Sequence, residues 1–222
     1  MKKIYFLLNH SSEFKAQSYC DKYLFDCDIS HGTSLPINAQ EFDLVVPWSY
    51  RKKIKNYKYN NAVVFHSSDL PEGKGWAPIF NVLNKKLKEY VVSAILLDDD
   101  VDSGNIIAKA KFKIKNTYTA EFIRKVDEEV SIKMIAGIIS EFDNKSMVGV
   151  KQEKTRETYY ERRYPKDNKL DINTPIKQLI PILKGCENTH PAFFEYKGDE
   201  FEITIKPREN PVFPKDLEII YK

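Results

Sequence analysis

Short, almost wholly apolar runs recur along the first half of this chain, and stretches with apolar residues at helical spacing alternate with them. The runs are 3–9 (KIYFLLN), 42–47 (FDLVVP), 61–65 (NAVVF) and 90–97 (YVVSAILL), and 105–114 reads as a fifth strand. Short apolar runs of this kind read as strands buried on both faces. Helical spacing marks 13–23, 77–87 (Ile79, Phe80, Val82, Leu83, Leu87) and 119–142 (Phe122, Ile123, Val126, Val130, Ile135, Ile138), where Thr117 or Thr119 can cap the start. Such alternation predicts an α/β chain with a mainly parallel sheet covered on both faces. Ligands of these sheets bind beyond the carboxyl ends of the strands, so the residues just after each run are the ones to weigh.

Several classes of function are disfavoured. A net charge of +3 gives no field for nucleic acid. No apolar run approaches the ~20 residues of a membrane span, and the opening MKKIYFLLNHSSEF has no small-residue cleavage site, so a first strand and a cytoplasmic protein are expected. The eight glycines include no GxGxxG and no GxxxxGK[ST], against a nicotinamide dehydrogenase or P-loop NTPase. Three cysteines, Cys20, Cys27 and Cys186, form no CxxC and read as free thiols, with neither disulfide scaffold nor metal site.

Beyond Phe142 the texture changes. Residues 143–169 are charged and tyrosine-rich, 174–184 has a short helix pattern, and 193–205 (FFEYKGDEFEITI) reads as a β-hairpin turning at Gly198 and Asp199. The expected division is a domain over 1–150 and a small α+β appendage over 151–222. The hairpin carries Phe193, Phe194, Tyr196, Phe201, Ile203 and Ile205, more apolar surface than two strands can bury alone, and a homodimer through the appendage is expected.

Of four histidines, His66 stands apart. It directly follows the run NAVVF and opens HSSDLPEGKGWAP, a loop whose two prolines and two glycines set its path by backbone geometry. The run YVVSAILL ends in DDDVDSGN, with Asp98, Asp99, Asp100 and Asp102. An EF-hand is excluded because lysines (Lys109, Lys111) stand where a bidentate Glu is needed. If the two runs are adjacent strands, Asp102 and His66 meet at one edge of the sheet, a pair suited to proton transfer.

These residues carry a resemblance. His66-Ser67-Ser68-Asp69-Leu70-Pro71, then Lys74-Gly75 and Pro78, resembles the formyltransferase family's Asn-x-His-x-Ser-Leu-Leu-Pro with Arg-Gly and Pro. Asp102-Ser103-Gly104-Asn105-Ile106-Ile107 is similar to its Asp-x-Gly-Asp-Ile-Leu. The stretch from Tyr159 to Asp167, and Pro191-Ala192-Phe193-Phe194, resemble the sugar N-formyltransferases of bacterial surface-glycan pathways such as O-antigen, and Asp69-Leu70-Pro71 looks like the branch serving pseudaminic-type sugars.

The resemblance implies a Rossmann-like formyltransferase domain that moves a formyl group from N10-formyltetrahydrofolate to the amine of a nucleotide-linked amino sugar, without metal. His66 would assist the oxyanion and Asp102 would orient the imidazole and take the amine's proton. Trp48, Ser49, Tyr50, Leu97 and Asp98 would meet the folate; Lys74, Gly75, Tyr159, Tyr160 and Arg163 would meet the nucleotide sugar. Val64 stands where the family has its Asn donor, and losing an oxyanion donor typically costs ~3 kcal/mol. Asn81 and then Ser68 are the expected substitutes. Two other readings stay open: another folate-dependent formyltransferase or deformylase on this scaffold, and a silent folate or nucleotide-sugar binder.

Overall fold

The computed structural model describes residues 1–10, 14–142 and 147–222. The expected strands form close to their expected bounds: β1 (Lys3–Leu7), β3 (Leu44–Pro47), β4 (Val63–His66), β6 (Glu89–Leu96) and β7 (Ile106–Lys113). To these the structure adds β2 (Asp28–Gly32), β5 (Lys74–Gly75), β8 (Tyr159–Tyr160) and β11 (Glu218–Tyr221), while the hairpin forms β9 (Ala192–Tyr196) and β10 (Asp199–Ile203). The helices are α1 (Gln17–Tyr23), α2 (Pro78–Asn84), α3 (Ala120–Glu141) and α4 (Ile176–Gly185). The expected start of α1 at Glu13, and the beginning of the polar stretch at 143–146, lie outside the described residues.

Strands β2-β1-β3 pair in parallel, and a parallel bridge between Val45 and Ala62 continues the sheet to β4. From β4 onward the order is β4-β6-β7-β11 and every pairing is antiparallel. The expected mainly parallel sheet therefore holds for its first half only. For β6 and β7 the reason lies in their connection, 97–105. A parallel crossover needs roughly a dozen residues or more, usually with a helix, and this short acidic segment permits only a hairpin.

Helix α3 starts where Thr119 accepts the amide of Phe122 at 3.5 Å, a side-chain cap. Its Ile123, Val126, Val130, Ile135 and Ile138 are buried with Phe6, Leu44, Val46, Val92 and Ala110 of the sheet. Each such side chain contributes about 1.5–3 kcal/mol on burial. Cys20 lies in this core, and burial pushes its thiol up to about 12. No described helix is long and apolar enough to cross a membrane.

The residues after 150 fall into two groups. Leu170, Leu183 and Ala192 centre a small separate cluster that also takes Phe194, Ile203 and Ile205, leaving Tyr196 and Phe201 half exposed. The last residues return to the first unit: β11 pairs with β7, and Phe213, Leu217, Ile219 and Tyr221 pack on the main core. The hairpin turns at Lys197 and Gly198, one residue earlier than expected, because Asp199 already pairs with Tyr196.

Candidate functional site

A cleft of about 660 Å³ crosses the carboxyl ends of β3 and β4. This volume is typical of small-molecule sites. The turn 49–54 and the loop 97–101 line it, as do Phe80, Arg124, Arg163, Asn168, Gly185 and His190, so the appendage supplies part of the wall. His66, Gly75 and Asp102 line it too.

Nδ1 of His66 lies 3.5 Å from Oδ2 of Asp102, with both side chains about nine-tenths buried. Adjacent strand ends do not explain this meeting. In the antiparallel register His66 faces Ser93, whereas Leu96, at the end of β6, faces Val63. The two strand ends are thus three residues apart, about 10 Å at ~3.3 Å per residue. The loop 97–105 closes that gap by folding back.

Three contacts hold the loop. Asp102 takes a left-handed backbone conformation (φ +53°), which a short polar side chain tolerates better than most. Gln152, buried, donates its Nε2 to the carbonyls of Asp102 and Gly104, each at 2.8 Å. Gly104 packs so closely that a Cβ there would stand 1.7 Å from the carbonyl oxygen of Leu96. Sequence reasoning passed over Gln152; its only signal was a polar residue at the start of the appendage.

Nε2 of His66 is 2.8 Å from the carbonyl oxygen of Gly73, an acceptor only, so Nε2 carries the hydrogen. Nδ1 is then the nitrogen available to Asp102 and to the cleft. The carboxylate of Asp102 also accepts the backbone N–H of Gly75 at 2.8 Å. Gly75 has φ +93°, and a Cβ would come within 2.7 Å of the carbonyl oxygen of Tyr160, so only glycine fits this approach.

The acidic run divides by task. Asp98 accepts Ser103 Oγ at 3.3 Å, Asp99 accepts the amide of Asn56 at 2.9 Å, and Asp100 pairs with Lys53 at 3.4 Å. Asp99 and Asp100 thereby hold the basic connector 51–58 along the rim. Among the described residues no three His, Cys, Asp or Glu side chains gather as a metal group.

Other expected site residues fall on both sides of the line. Ser49, Tyr50, Leu97, Asp98, Gly75 and Arg163 line the cleft. Asn9, just beyond β1 and unnoticed in the sequence, holds the turn at 49–51 by donating to the Ser49 carbonyl at 2.8 Å and accepting the Arg51 amide at 2.9 Å. Arg163 lies 3.4 Å over the Phe80 ring and donates to Asn168 Oδ1 at 2.6 Å, and burial pulls its pKa down.

Trp48 instead packs edge-on against Phe6, 5.7 Å between ring centres, and is absent from the cleft wall. Asn81 spends its amide on the carbonyls of Ala77 at 3.0 Å and Trp76 at 3.4 Å, and Ser68 is buried behind the wall with a partnerless Oγ. Neither reaches the cleft as an oxyanion donor. Lys74 is buried and paired with Glu157 at 2.7 Å, so it has no free charge for a phosphate. Tyr159 and Tyr160 form β8, whose backbone pairs with β5 outside the cleft wall.

No protein-family model matches the sequence. The chain is 26% identical to the methionyl-tRNA formyltransferase of Pelagibacter ubique, over 91% of this chain and 71% of that protein. It is 23% identical to that of Rickettsia massiliae, over 75% of this chain and 56% of that protein, so it spans little more than half of some curated relatives. Among solved structures, the methionyl-tRNA formyltransferase of Clostridium thermocellum superposes with a TM-score of 0.73 at 22% identity, covering 100% of both chains. A sugar N-formyltransferase from a Shewanella species gives 0.69 at 13% identity, over 95% of this chain and 100% of that one. An N-formyltransferase from Helicobacter canadensis, in complex with folinic acid and dTDP-3-aminofucose, gives 0.63 at 15% identity, over 89% of this chain and 85% of that one. The chain has the formyltransferase fold, a Rossmann-like α/β domain, and its relatives in sequence and structure are one-carbon transferases.

Proposed function

We propose that the chain is an N-formyltransferase that moves a formyl group from N10-formyltetrahydrofolate to the amine of a nucleotide-linked amino sugar. The observation that carries this reading is the buried His66–Asp102 pair, 3.5 Å apart, in the wall of a cleft lined by both the main domain and the appendage.

The part of the cleft lined by 49–54 and 97–101 fits a folate. Tyr50 and Leu97 offer flat and apolar surface, and Arg51 and Lys52, exposed and without an ion pair among the described residues, suit the carboxylates of a glutamyl tail. Arg163, beside the aromatic Phe80 and Tyr164 and without a carboxylate partner among the described residues, is a setting for a phosphorylated acceptor, whereas Arg124 is already paired with Glu187. The Helicobacter enzyme's complex with a dTDP-linked amino sugar supports this acceptor class.

In the reaction the neutral amine attacks the formyl carbon, a new C–N bond forms, and negative charge develops on the formyl oxygen. Nε2–H is committed to Gly73, so a hydrogen bond to that oxygen comes from Nδ1, which requires the imidazolium form. Asp102 stabilises the cation and accepts the proton the amine loses. The C–N10 bond then breaks, N10 takes a proton, and tetrahydrofolate leaves.

A second reading, formylation of a methionyl-tRNA, is favoured by the sequence relatives. The test supplies N10-formyltetrahydrofolate with a panel of dTDP- and UDP-linked amino sugars, or with initiator methionyl-tRNA, and follows tetrahydrofolate release and formylated product by mass. Product from a sugar and none from tRNA supports the proposal. Product from tRNA alone replaces it with the second reading, and no release with either marks a silent binder.

A further inference from the structure

The residues that fix His66 and Asp102 both belong to one short loop. Gly73 offers its carbonyl to Nε2 of His66, and Gly75 gives its amide to Asp102, both at 2.8 Å. Two bonds two residues apart thus set the spacing and orientation of the pair. Turns within it and contacts from Ser93 and Lys109 hold the first part of that loop. From Pro71 onward it is also bound to the segment that connects the main domain to the appendage.

Six contacts make this strap, one of them the ion pair of Arg156 with Glu72 at 2.7 Å. The Gly73 amide donates to Thr158 Oγ1 at 2.8 Å, and the Lys74 amide donates to the Thr158 carbonyl at 2.9 Å. The Trp76 amide donates to the Tyr160 carbonyl at 3.1 Å, and the Thr158 amide reaches the Pro71 carbonyl at 3.4 Å. Lys74 Nζ, 1% exposed, is neutralised by Glu157 Oε1 at 2.7 Å. A lysine buried to this degree is tolerated only with a charged partner. The pair therefore demands that Glu157, and with it Thr158, sit beside the loop.

We propose that Glu157 and Thr158 are positioning residues for formyl transfer. Thr158 Oγ1 holds the Gly73 amide, in the peptide just before the carbonyl that sets the His66 tautomer, the Thr158 carbonyl holds the peptide that bears it through the Lys74 amide, and the Glu157–Lys74 pair locks that loop in register. This rests on the function proposed above, but its effect on His66 exists with or without turnover. Neither residue lines the cleft, so neither touches substrate.

The mild variant is Thr158→Val, which keeps the β-branched shape and removes the acceptor. Thr158→Ser restores it. The double variant Lys74→Met/Glu157→Leu removes both charges together, so no charge is left buried alone. A misplacement of about 1 Å at a reacting group can cost up to ~100-fold, and Thr158→Val should lower kcat about tenfold with both KM values within about twofold and a shifted pH profile of kcat. Thr158→Ser should recover kcat. The double variant should behave as Thr158→Val does.

The second readout is the imidazole itself. With only four histidines, ¹H–¹⁵N correlation spectra can be assigned by His66→Gln, and the parent should show His66 protonated on Nε2. Thr158→Val should weaken or lose that state, and Thr158→Ser should keep it. An unchanged His66 spectrum and kcat in folded Thr158→Val and the double variant would overturn the proposal. So would a rise in acceptor KM alone, which would make the strap a binding element. If the parent shows the Nε2 tautomer, and Thr158→Val loses it, but no acceptor is formylated, the strap stands and the functional reading falls.

Discussion

Asp102 reaches His66 from the far end of its neighbouring strand, 3.5 Å between Oδ2 and Nδ1, and spends the same oxygen on the amide of Gly75. A carboxylate held by a backbone donor cannot swing to another partner without breaking that bond. His66→Gln keeps a polar side chain but cannot form the imidazolium, and Asp102→Asn keeps the shape but cannot accept the amine's proton. Each should lower turnover by about a hundredfold or more with the unfolding transition close to the parent's. Near-normal turnover in Asp102→Asn would show that the proton goes elsewhere.

The return of the loop 97–105 to His66 depends on Gly104. A methyl group there meets the backbone of Leu96 at 1.7 Å, and a strand carbonyl cannot rotate away as a side chain would. Gly104→Ala should therefore displace the loop, lower turnover as far as Asp102→Asn does, and cost about 2–3 kcal/mol in denaturant unfolding. Normal activity in this variant would mean that the loop has slack.

The order of strands and helices was legible because buried strands here are short apolar runs and α3 has a clear apolar period. Strands β2 and β11 were missed because both are sheet edges with polar residues mixed in, DISHG and EIIY, and edge strands need no continuous apolar run. His66 and Asp102 were legible as types in suggestive places. Their meeting was expected from two strands ending side by side, whereas the antiparallel register separates those ends and a folded-back loop rejoins them. What fixes the pair could not be read: the Gly73 carbonyl and the Gly75 amide are backbone groups, and Gln152 and Thr158 lie far along the chain. Lys74 misled because a lysine in a glycine-rich loop looks like a phosphate ligand until its burial against Glu157 is seen.

Val64 lines the cleft, whereas Asn81 and Ser68, the expected substitutes for a donor there, do not. Asn81 is turned back onto the first turn of its own helix, where its amide serves the carbonyls of Ala77 and Trp76. Asn81→Ala should lose about 0.5–1 kcal/mol of stability and keep kcat within about twofold. Ser68 buries a hydroxyl with no partner, so Ser68→Ala should be neutral to slightly stabilising, again with unchanged kcat. A drop of about a hundredfold in either, measured as tetrahydrofolate release, would restore that residue as the oxyanion donor.

Behind the site, Asp127 of α3 accepts Ser67 Oγ at 3.1 Å and the hydroxyl of fully buried Tyr90 at 3.0 Å. Burial raises its pKa above the ordinary carboxylate value, although Tyr90, Arg124 and Ser67 pull the other way. The folded chain then holds a proton that the unfolded chain has released. The stability this gives is fully present below the ordinary carboxylate pKa and is lost as pH rises through the raised value. Asp127→Asn removes the titration and keeps an acceptor oxygen. In urea unfolding from about pH 4 to about pH 7, the parent should lose stability relative to Asp127→Asn as pH rises. Glu128, whose pKa burial raises and the Asp127 charge raises further, is removed from the comparison by placing Glu128→Gln in both proteins. Parallel stability profiles would mean that hydrogen bonds from Ser67 and Tyr90 hold Asp127 at its ordinary value. Divergence in the opposite sense would mean that they outweigh burial.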